Sequence, residues 1–407
     1  AWVKRTEISD ASHGGGHTIF AVNVSGNEGC LVRFNTGTTA ATLDTLQIDI
    51  GAGSTNSRSH TSQVFRDTSA WYHIVLAVDT TQGTATDRFK LYVNGELVTS
   101  YYSRNNPAQN FDTSNNQAAN SCTQHIGAYT SSGTAYGKFC GYIAEVNHVD
   151  GAALAPTAFG EFDDDSGIWK PKAASPTYGT NGFFLDFADS GNLGDDESGN
   201  GLDFTEVNIA AADQATDTPT NNFQTFLSDG SLFNTGANNI TYSEGGTKFA
   251  KGNATAWTIS YSNMAMPNGK WYMEFENHGT GKNTQYGLIP VAFPTTRAAL
   301  NLSMGETTDG TVAYNLASGG FNQNGGGSGG VSSVTGDIIG IAVDKENNNA
   351  YWHKNGTYMN GANPVTGSSG TSGHYTLSDE PYFFAVATYN PNNSGKTNTG
   401  GYTTISI

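Results

Sequence analysis

The sequence predicts an all-β protein built as two jelly-roll-like β-sandwiches in tandem, and three observations carry that prediction. Glycine supplies 51 of 407 residues, and because each glycine inside a helix costs about 1 kcal/mol relative to alanine, long helices are disfavoured. Apolar and polar residues alternate with period two in short runs bounded by Gly, Asn, Ser and Thr, the spacing that puts successive side chains on opposite faces of a strand. The same grammar of strands and Asn-Gly turns occurs in both halves, which fits two sandwiches better than one large sheet.

Taken in order, residues 1–5 read as a strand. In WYHIVLAVD (71–79), Tyr72, Ile74, Leu76 and Val78 take one face and Trp71, His73, Val75 and Ala77 the other. Both faces are mainly apolar, as expected of a strand inside a sandwich. FKLYVNGEL (89–97) follows, and Asn94-Gly95 predicts a tight hairpin because both residues accept positive φ. EFDDDSG (161–167) and residues 169–180 read as an extended loop, FFLDF (183–187) as a strand, and residues 208–214 as the single short helix. ATDTPTNNF (215–223) reads as a connector, so the domains are expected at 1–215 and 216–407. In the second half, WYMEFE (271–276) sets Trp271, Met273 and Phe275 against Tyr272, Glu274 and Glu276, the two glutamates being expected on a solvated face. IIGIAVD (338–344) leads into AYWHKNG (350–356) with Asn355-Gly356 at the tip, and YFFAVATYN (382–390) is a further buried strand. The glycine tract at 319–330 lacks a GK[ST] ending and reads as a flexible loop rather than a phosphate cradle. Strand-like ends at residues 1 and 407 suggest a segment of a longer polypeptide.

Thirty-six acidic residues against 19 basic ones give a net charge of −17. Without clustered Lys and Arg such a chain does not bind phosphate backbones or anionic membranes. The longest strongly apolar run, 338–343, is far short of the roughly 20 residues that cross a bilayer. Cys30, Cys122 and Cys140 are too few and too scattered for a disulfide framework or a CxxC zinc site.

DTSAWYHIVLAVDTT with DRFKLYVNGELV resembles the laminin-G-like branch of the concanavalin A-like lectin/glucanase superfamily, and GYIAEVNHVDGAALAP (141–156) is similar to that branch's late strand. LGDDESGNGLDFT (193–205) resembles a segment that opens such domains; here it implies a permuted order or an added strand. NGKWYMEFE, GDIIGIAVDKENNNAYWHKNGTYMNG and PYFFAVATYN resemble SPRY-domain strands over about 222–407, ending before that family's usual closing strand. The combination resembles virion appendage proteins of tailed phages, tail fibres in particular. That resemblance implies a virion location, other virion proteins as partners and a homo-oligomer, with three chains implied by the tail-fibre likeness alone.

The superfamily invites glucan hydrolysis, which needs two carboxyl groups set about the scissile bond. The glucanase strand pattern E-x-D-x-x-E is met here by Glu145-Val-Asn147-His-Val-Asp150, which lacks the central carboxylate and the last glutamate, so no catalytic residue is expected. His13 and His17 flank three glycines, but no cysteine or acidic residue stands beside them in sequence to complete a zinc site. Asp186, Asp189, Asp195 and Asp196, with Asp163 to Asp165, could offer hard oxygens to calcium. Glycan recognition needs aromatic faces and planar polar groups on loops held by rigid sheets; Tyr101, Tyr102, Arg104 and Asn105 form one such group, and His125, Tyr129 and Tyr136 another. The expectation is a non-enzymatic adhesion protein binding a host cell-surface glycan. A purely structural virion protein and a polysaccharide-degrading glycosidase are the alternatives.

Overall fold

The computed structural model describes residues 1–8, 16–24, 27–36, 39–51, 57–113, 122–131, 133–226, 240–252, 255–278, 283–293, 303–306, 309–323, 326–329 and 331–398. The chain forms two compact units, Ala1–Asn222 and Phe223–Ile407, and strands with short 3-10 turns account for the regular structure.

In the first unit the strands run β1 (Trp2–Arg5), β2 (His17–Val24), β3 (Asn27–Phe34), β4 (Thr45–Ile50), β5 (Ser57–Val64), β6 (Trp71–Val78), β7 (Phe89–Val93), β8 (Glu96–Leu97) and β9 (Tyr101–Ser103). They continue with β10 (Thr123–Ile126), β11 (Tyr129–Ser131), β12 (Thr134–Tyr136), β13 (Gly141–Ala144), β14 (Val146–His148), β15 (Gly160–Phe162), β16 (Trp169–Pro171) and β17 (Phe183–Leu185). A five-stranded sheet in the order β13-β1-β6-β7-β8 faces a six-stranded sheet in the order β10-β2-β3-β4-β5-β9. Val3, Tyr72, Ile74, Phe89, Leu91 and Val93 of the first meet Ile19, Val32, Phe34, Leu46, Ile48 and Ile50 of the second in one buried core. Each such side chain taken out of water contributes about 1.5–3 kcal/mol. The alternation read in residues 71–79 is therefore the alternation of the fold, and its second face also packs, Trp71 joining Trp2 and Trp169. The hairpin is where Asn94-Gly95 put it, with φ of 48° and 82°.

Four expectations for this unit are corrected. Residues 161–171 are not simply loop: β15 and β16 pair as a hairpin around Asp163, and Trp169 reaches back to donate from Nε1 to His73 Nδ1 at 2.9 Å. The segment at 193–205 adds no strand; it coils around Asp196, which accepts backbone N–H groups of Phe184, Ser198 and Leu202. The short helix is one 3-10 turn, Ala211–Asp213. The stretch read as a connector is fastened to this unit, since Asp217 accepts from Lys4 Nζ at 2.7 Å and from Trp71 Nε1 at 2.9 Å.

The second unit contains β18 (Ile240–Ser243), β19 (Lys248–Lys251), β20 (Thr258–Tyr261), β21 (Lys270–Asn277), β22 (Thr284–Pro290), β23 (Val312–Asn315), β24 (Phe321–Gln323) and β25 (Gly326–Ser328). After them come β26 (Ile338–Asp344), β27 (Asn349–Lys354), β28 (Thr357–Tyr358), β29 (His374–Thr376), β30 (Tyr382–Thr388) and β31 (Ser394–Asn398). An eight-stranded sheet runs β18-β19-β31-β21-β26-β27-β28 with β29 beside β27, and a six-stranded sheet runs β20-β30-β22-β23-β24-β25. Met273, Phe275, Ile339, Ile341 and Trp352 pack against Tyr286, Leu288, Tyr314, Phe321 and Phe384. Asn355 and Gly356, at φ 50° and 80°, turn the predicted hairpin.

Glu274 overturns the solvated-face expectation: it is 2% exposed. Its Oε1 accepts from Tyr272 Oη at 2.6 Å and its Oε2 from Asn398 Nδ2 at 3.3 Å, while His353 Nε2 lies 2.6 Å from the same tyrosine oxygen. Polar residues on a strand can thus be buried by their own cross-strand neighbours. The glycine tract contains a strand, β25, paired to β24; Gly325 and Gly330 lie outside the described residues, as do residues 399–407 and the strand-like end expected there.

Candidate functional site

The six-stranded sheet of the first unit turns one face to the core; its other face is mainly polar, with Ala21 and Leu31 among the polar residues, and strand register lines these residues up in rows. One row crosses the sheet as His125, Ala21, Leu31, Asp49 and Arg58, each the Cα partner of the next. The adjacent row is Thr18, Arg33, Gln47, His60 and Ser103. In β4 the cause is plain: TLQIDI sends Leu46, Ile48 and Ile50 to the core and Thr45, Gln47 and Asp49 to the other side.

Hydrogen bonds tie the rows together. Arg33 donates from Nε and Nη2 to Gln47 Oε1, both at 3.2 Å, and Gln47 Nε2 donates to Asp49 Oδ2 at 3.1 Å. Arg58 grips Asp49 from Nε and Nη2, the shortest distance being 2.7 Å. The geometry is the bidentate fork that a guanidinium forms with a carboxylate. His60 Nδ1 lies 3.4 Å from Thr45 Oγ1. Burial lowers the His60 pKa, Arg58 and Arg33 add to that, and Asp49 opposes it. His125 is lowered by burial too. Both imidazoles are therefore neutral at pH 7.

At the β10 edge the fold gathers His125, Tyr129 and Tyr136. Tyr129 and Tyr136 face each other across the β11–β12 hairpin, their rings stacked at 5.8 Å between centroids. The Arg33 guanidinium lies over Tyr129 at 6.0 Å, within cation–π range. His125 Nε2 is 3.2 Å from Thr130 Oγ1, and Asn23 Nδ2 donates to Thr130 as well. Tyr136 is 41% exposed.

At the β9 edge Tyr101, Tyr102, Arg104 and Asn105 sit differently. Arg104 donates to the carbonyls of Thr86 and Phe89 and to Asn106, and stacks on Phe89 and Tyr101 at 4.4 and 4.7 Å. Asn105 bonds to Arg58 and Ser59 across to β5. Tyr102 is the exposed member, at 59%. The two groups stand at opposite edges of the sheet, five strand spacings or about 24 Å apart, so they do not form one small site. Arg33, Gln47, Asp49, Arg58 and His60 join them across the middle and were not singled out from sequence, although the alternation in residues 45–50 carried the signal.

The other expected sites are dispersed. Asp186 and Asp189 each hold a backbone N–H of their own turn, and Asp196 is occupied as described above, so these carboxylates show no common cage for calcium. On the strand resembling the glucanase motif, Asn147 accepts from Tyr178 Oη at 2.7 Å and Asp150 binds Asn181; both are engaged in packing loops. Burial raises the Glu145 pKa. A cavity of about 530 Å³ opens elsewhere in this unit, between Ile19 and Val32 on one side and Ile74, Leu76 and Val78 on the other. None of the seven expected glycan contacts lines it; its walls combine those apolar side chains with His73, Asp79, Thr80, Asp112, Asn147 and His148. His13 lies outside the described residues; His17 meets Glu7 and Cys140, as argued below.

Residues 1–156 match a laminin-G family model described as concanavalin A-like lectin/glucanases superfamily. Among curated proteins there is no match. Solved structures similar to this chain include a human SPRY domain, at 19% identity and a TM-score of 0.30, covering 40% of this chain and 95% of that one. The SPRY domain of human HERC1 matches at 17% and 0.29, covering 38% and 89%. The TRIM65 PSpry domain matches at 10% and 0.32, covering 43% and 92%.

Proposed function

We propose that the first unit is a non-catalytic carbohydrate-binding sandwich whose ligand lies along the polar face of the six-stranded sheet. The observation that supports this reading is the pair of cross-sheet rows ending at the stacked Tyr129–Tyr136 platform. The guanidinium groups of Arg33 and Arg58 and the imidazoles of His60 and His125, which are not buried, answer sugar hydroxyls, held from beneath by the buried Gln47 and Asp49, and the tyrosine rings offer an apolar surface to sugar C–H groups. The superfamily matched by residues 1–156 includes binders and glycosidases. Asp49 is the carboxylate among the described side chains of these rows, and Arg58 holds it. A retaining glycosidase needs a second carboxyl group about 5–5.5 Å away, and the rows supply none among the described residues.

The finer reading is an adhesive segment of a virion appendage, such as a tail fibre, that binds a host cell-surface polysaccharide. Its support is the tandem of laminin-G-like and SPRY-like sequence motifs. Weak individual sites would gain avidity when repeated on an oligomer. The test is a glycan array probed with the protein presented multivalently on beads, beside a reducing-end assay on each glycan retained. Retention without new reducing ends is expected, as is weakened retention in Tyr136→Ala. New reducing ends would overturn the reading in favour of a glycosidase, and no retention at all would leave a structural role.

A further inference from the structure

We propose that Glu7, His17 and Cys140 form a binding site for a borderline-soft divalent metal of the zinc class. One ligand atom from each, a carboxylate oxygen, an imidazole nitrogen and the thiol sulfur, lies within 4.8 Å of the other two, the one such cluster among the described residues. An ion can therefore sit no farther than 4.8/√3, about 2.8 Å, from all three atoms. Side-chain rotation then has to close at most about 0.5–0.8 Å per ligand to reach Zn–O, Zn–N and Zn–S bonds of roughly 2.0–2.3 Å. Carboxylate, imidazole and thiolate together are zinc's usual donor set, whereas calcium and magnesium take oxygen alone.

The backbone holds the three positions independently of any ion. Thr6 N–H donates to the Cys140 carbonyl at 3.1 Å, which sets Glu7 and Cys140 side by side. Gly141, at φ 145°, lets that segment approach β1 so closely that a Cβ would fall 2.0 Å from the Lys4 carbonyl. Gly16, at φ 96°, turns the chain into β2 where a Cβ would meet the Phe34 carbonyl at 2.6 Å. His17 is fully buried, its ring edge-on to Phe139 at 6.3 Å. Glu7 and Cys140 are half-exposed, which leaves a path of entry for the ion.

Charge balances as well. Glu7 and a Cys140 thiolate bring two negative charges to a divalent ion. Arg5 stands beside the cluster, Nη2 3.5 Å from His17 Nδ1, but its charge is answered by Asp44 at 3.1 Å. Three protein ligands leave a fourth position to water. Because β1 and β2 belong to different sheets, the ion would brace the two layers of the sandwich at one corner.

The test is titration of the purified full chain with Co²⁺ alone, whose thiolate bond absorbs in the near ultraviolet. One equivalent is expected to produce the charge-transfer band. The band should vanish in Cys140→Ser, require at least tenfold more Co²⁺ in Glu7→Gln, and persist in Cys30→Ala and Cys122→Ser. Absence of the band, its survival in Cys140→Ser, or its loss in Cys122→Ser would overturn the proposal. If Cys140→Ser does not fold, alkylation of the wild-type thiols read by peptide mass spectrometry decides: Zn²⁺ should slow modification of Cys140 tenfold or more while leaving Cys122 unchanged, and equal rates with and without Zn²⁺ would refute the site.

Discussion

The two edges of the six-stranded sheet carry similar side chains and use them differently. At β9, Arg104 and Asn105 direct their donors inward, to the carbonyls of Thr86, Phe89 and Arg58, and the ring of Tyr101 completes the stack. At β10, Tyr129 and Tyr136 stack on each other at the surface, and Arg33 leans over Tyr129 from the polar face. Tyr, Arg and Asn in a loop are therefore a fastener in one place and a platform in the other. What separates the two is where their hydrogen bonds terminate, a property residue type does not carry.

The largest effect that would test this contrast is expected between the edges. Asp49→Ala removes the acceptor shared by Arg58 and Gln47, and should destabilise the first unit by about 3 kcal/mol in chemical denaturation, since hydrogen bonds to a buried charge are worth roughly 1.5–3 kcal/mol each. It should also abolish glycan retention; an unchanged melt would mean the rows are not coupled. Arg104→Ala should cost about 2 kcal/mol of stability by the same physics and leave retention unchanged. Loss of retention in a folded Arg104→Ala protein would move the platform to the β9 edge.

Acid should act on both edges at once, because His73 sits in the opposing sheet, stacked between Trp2 and Trp169. Burial pushes its pKa down to about 2, against about 6.5 in an unfolded chain. The unfolded state therefore takes up a proton that the folded state refuses. Stability is complete above pH 6.5 and should fall by about 1.4 kcal/mol for each unit below it. Thermal melts at pH 7.0 and 5.5 read this directly, and a His73→Gln protein should lose this contribution to the slope. The smallest stability effect belongs to Tyr136→Ala: under about 0.5 kcal/mol for an exposed residue, with affinity down about fivefold, near 1 kcal/mol for a lost aromatic face.

Much of the fold was legible because its code is local. Alternation in residues 71–78, 338–344 and 382–388 and the two Asn-Gly tips at 94–95 and 355–356 specify strands and turns within a few residues. The site was only half legible. His125, Tyr129 and Tyr136 stand together in sequence, but Arg33, Gln47 and His60 become neighbours only through the register of β3, β4 and β5. Glu7, His17 and Cys140 are further apart still, and the absence of a cysteine or acidic residue beside His17 in sequence hid a cluster the fold assembles. Glu274 was misread for the converse reason: period two tells which face a side chain takes, and whether Tyr272 and His353 then cover that face is a matter of cross-strand pairing. The three-residue strands β15 and β16 are too short to show a period at all.

The Lys4–Asp217 pair sets a clock on the first unit. Lys4 is buried on β1, and its carboxylate partner lies 213 residues later, beyond the end of the laminin-G match at residue 156. At roughly 5–20 residues per second, a ribosome needs about 10–40 s between making the two. For that interval Lys4 lacks the carboxylate that its buried position pairs it with, and the edge of the sandwich at β1 is expected to close after the rest. A chain cut after residue 156 would keep both main sheets and lack the group that neutralises Lys4, and it should fold markedly less well than one continued through Asn222.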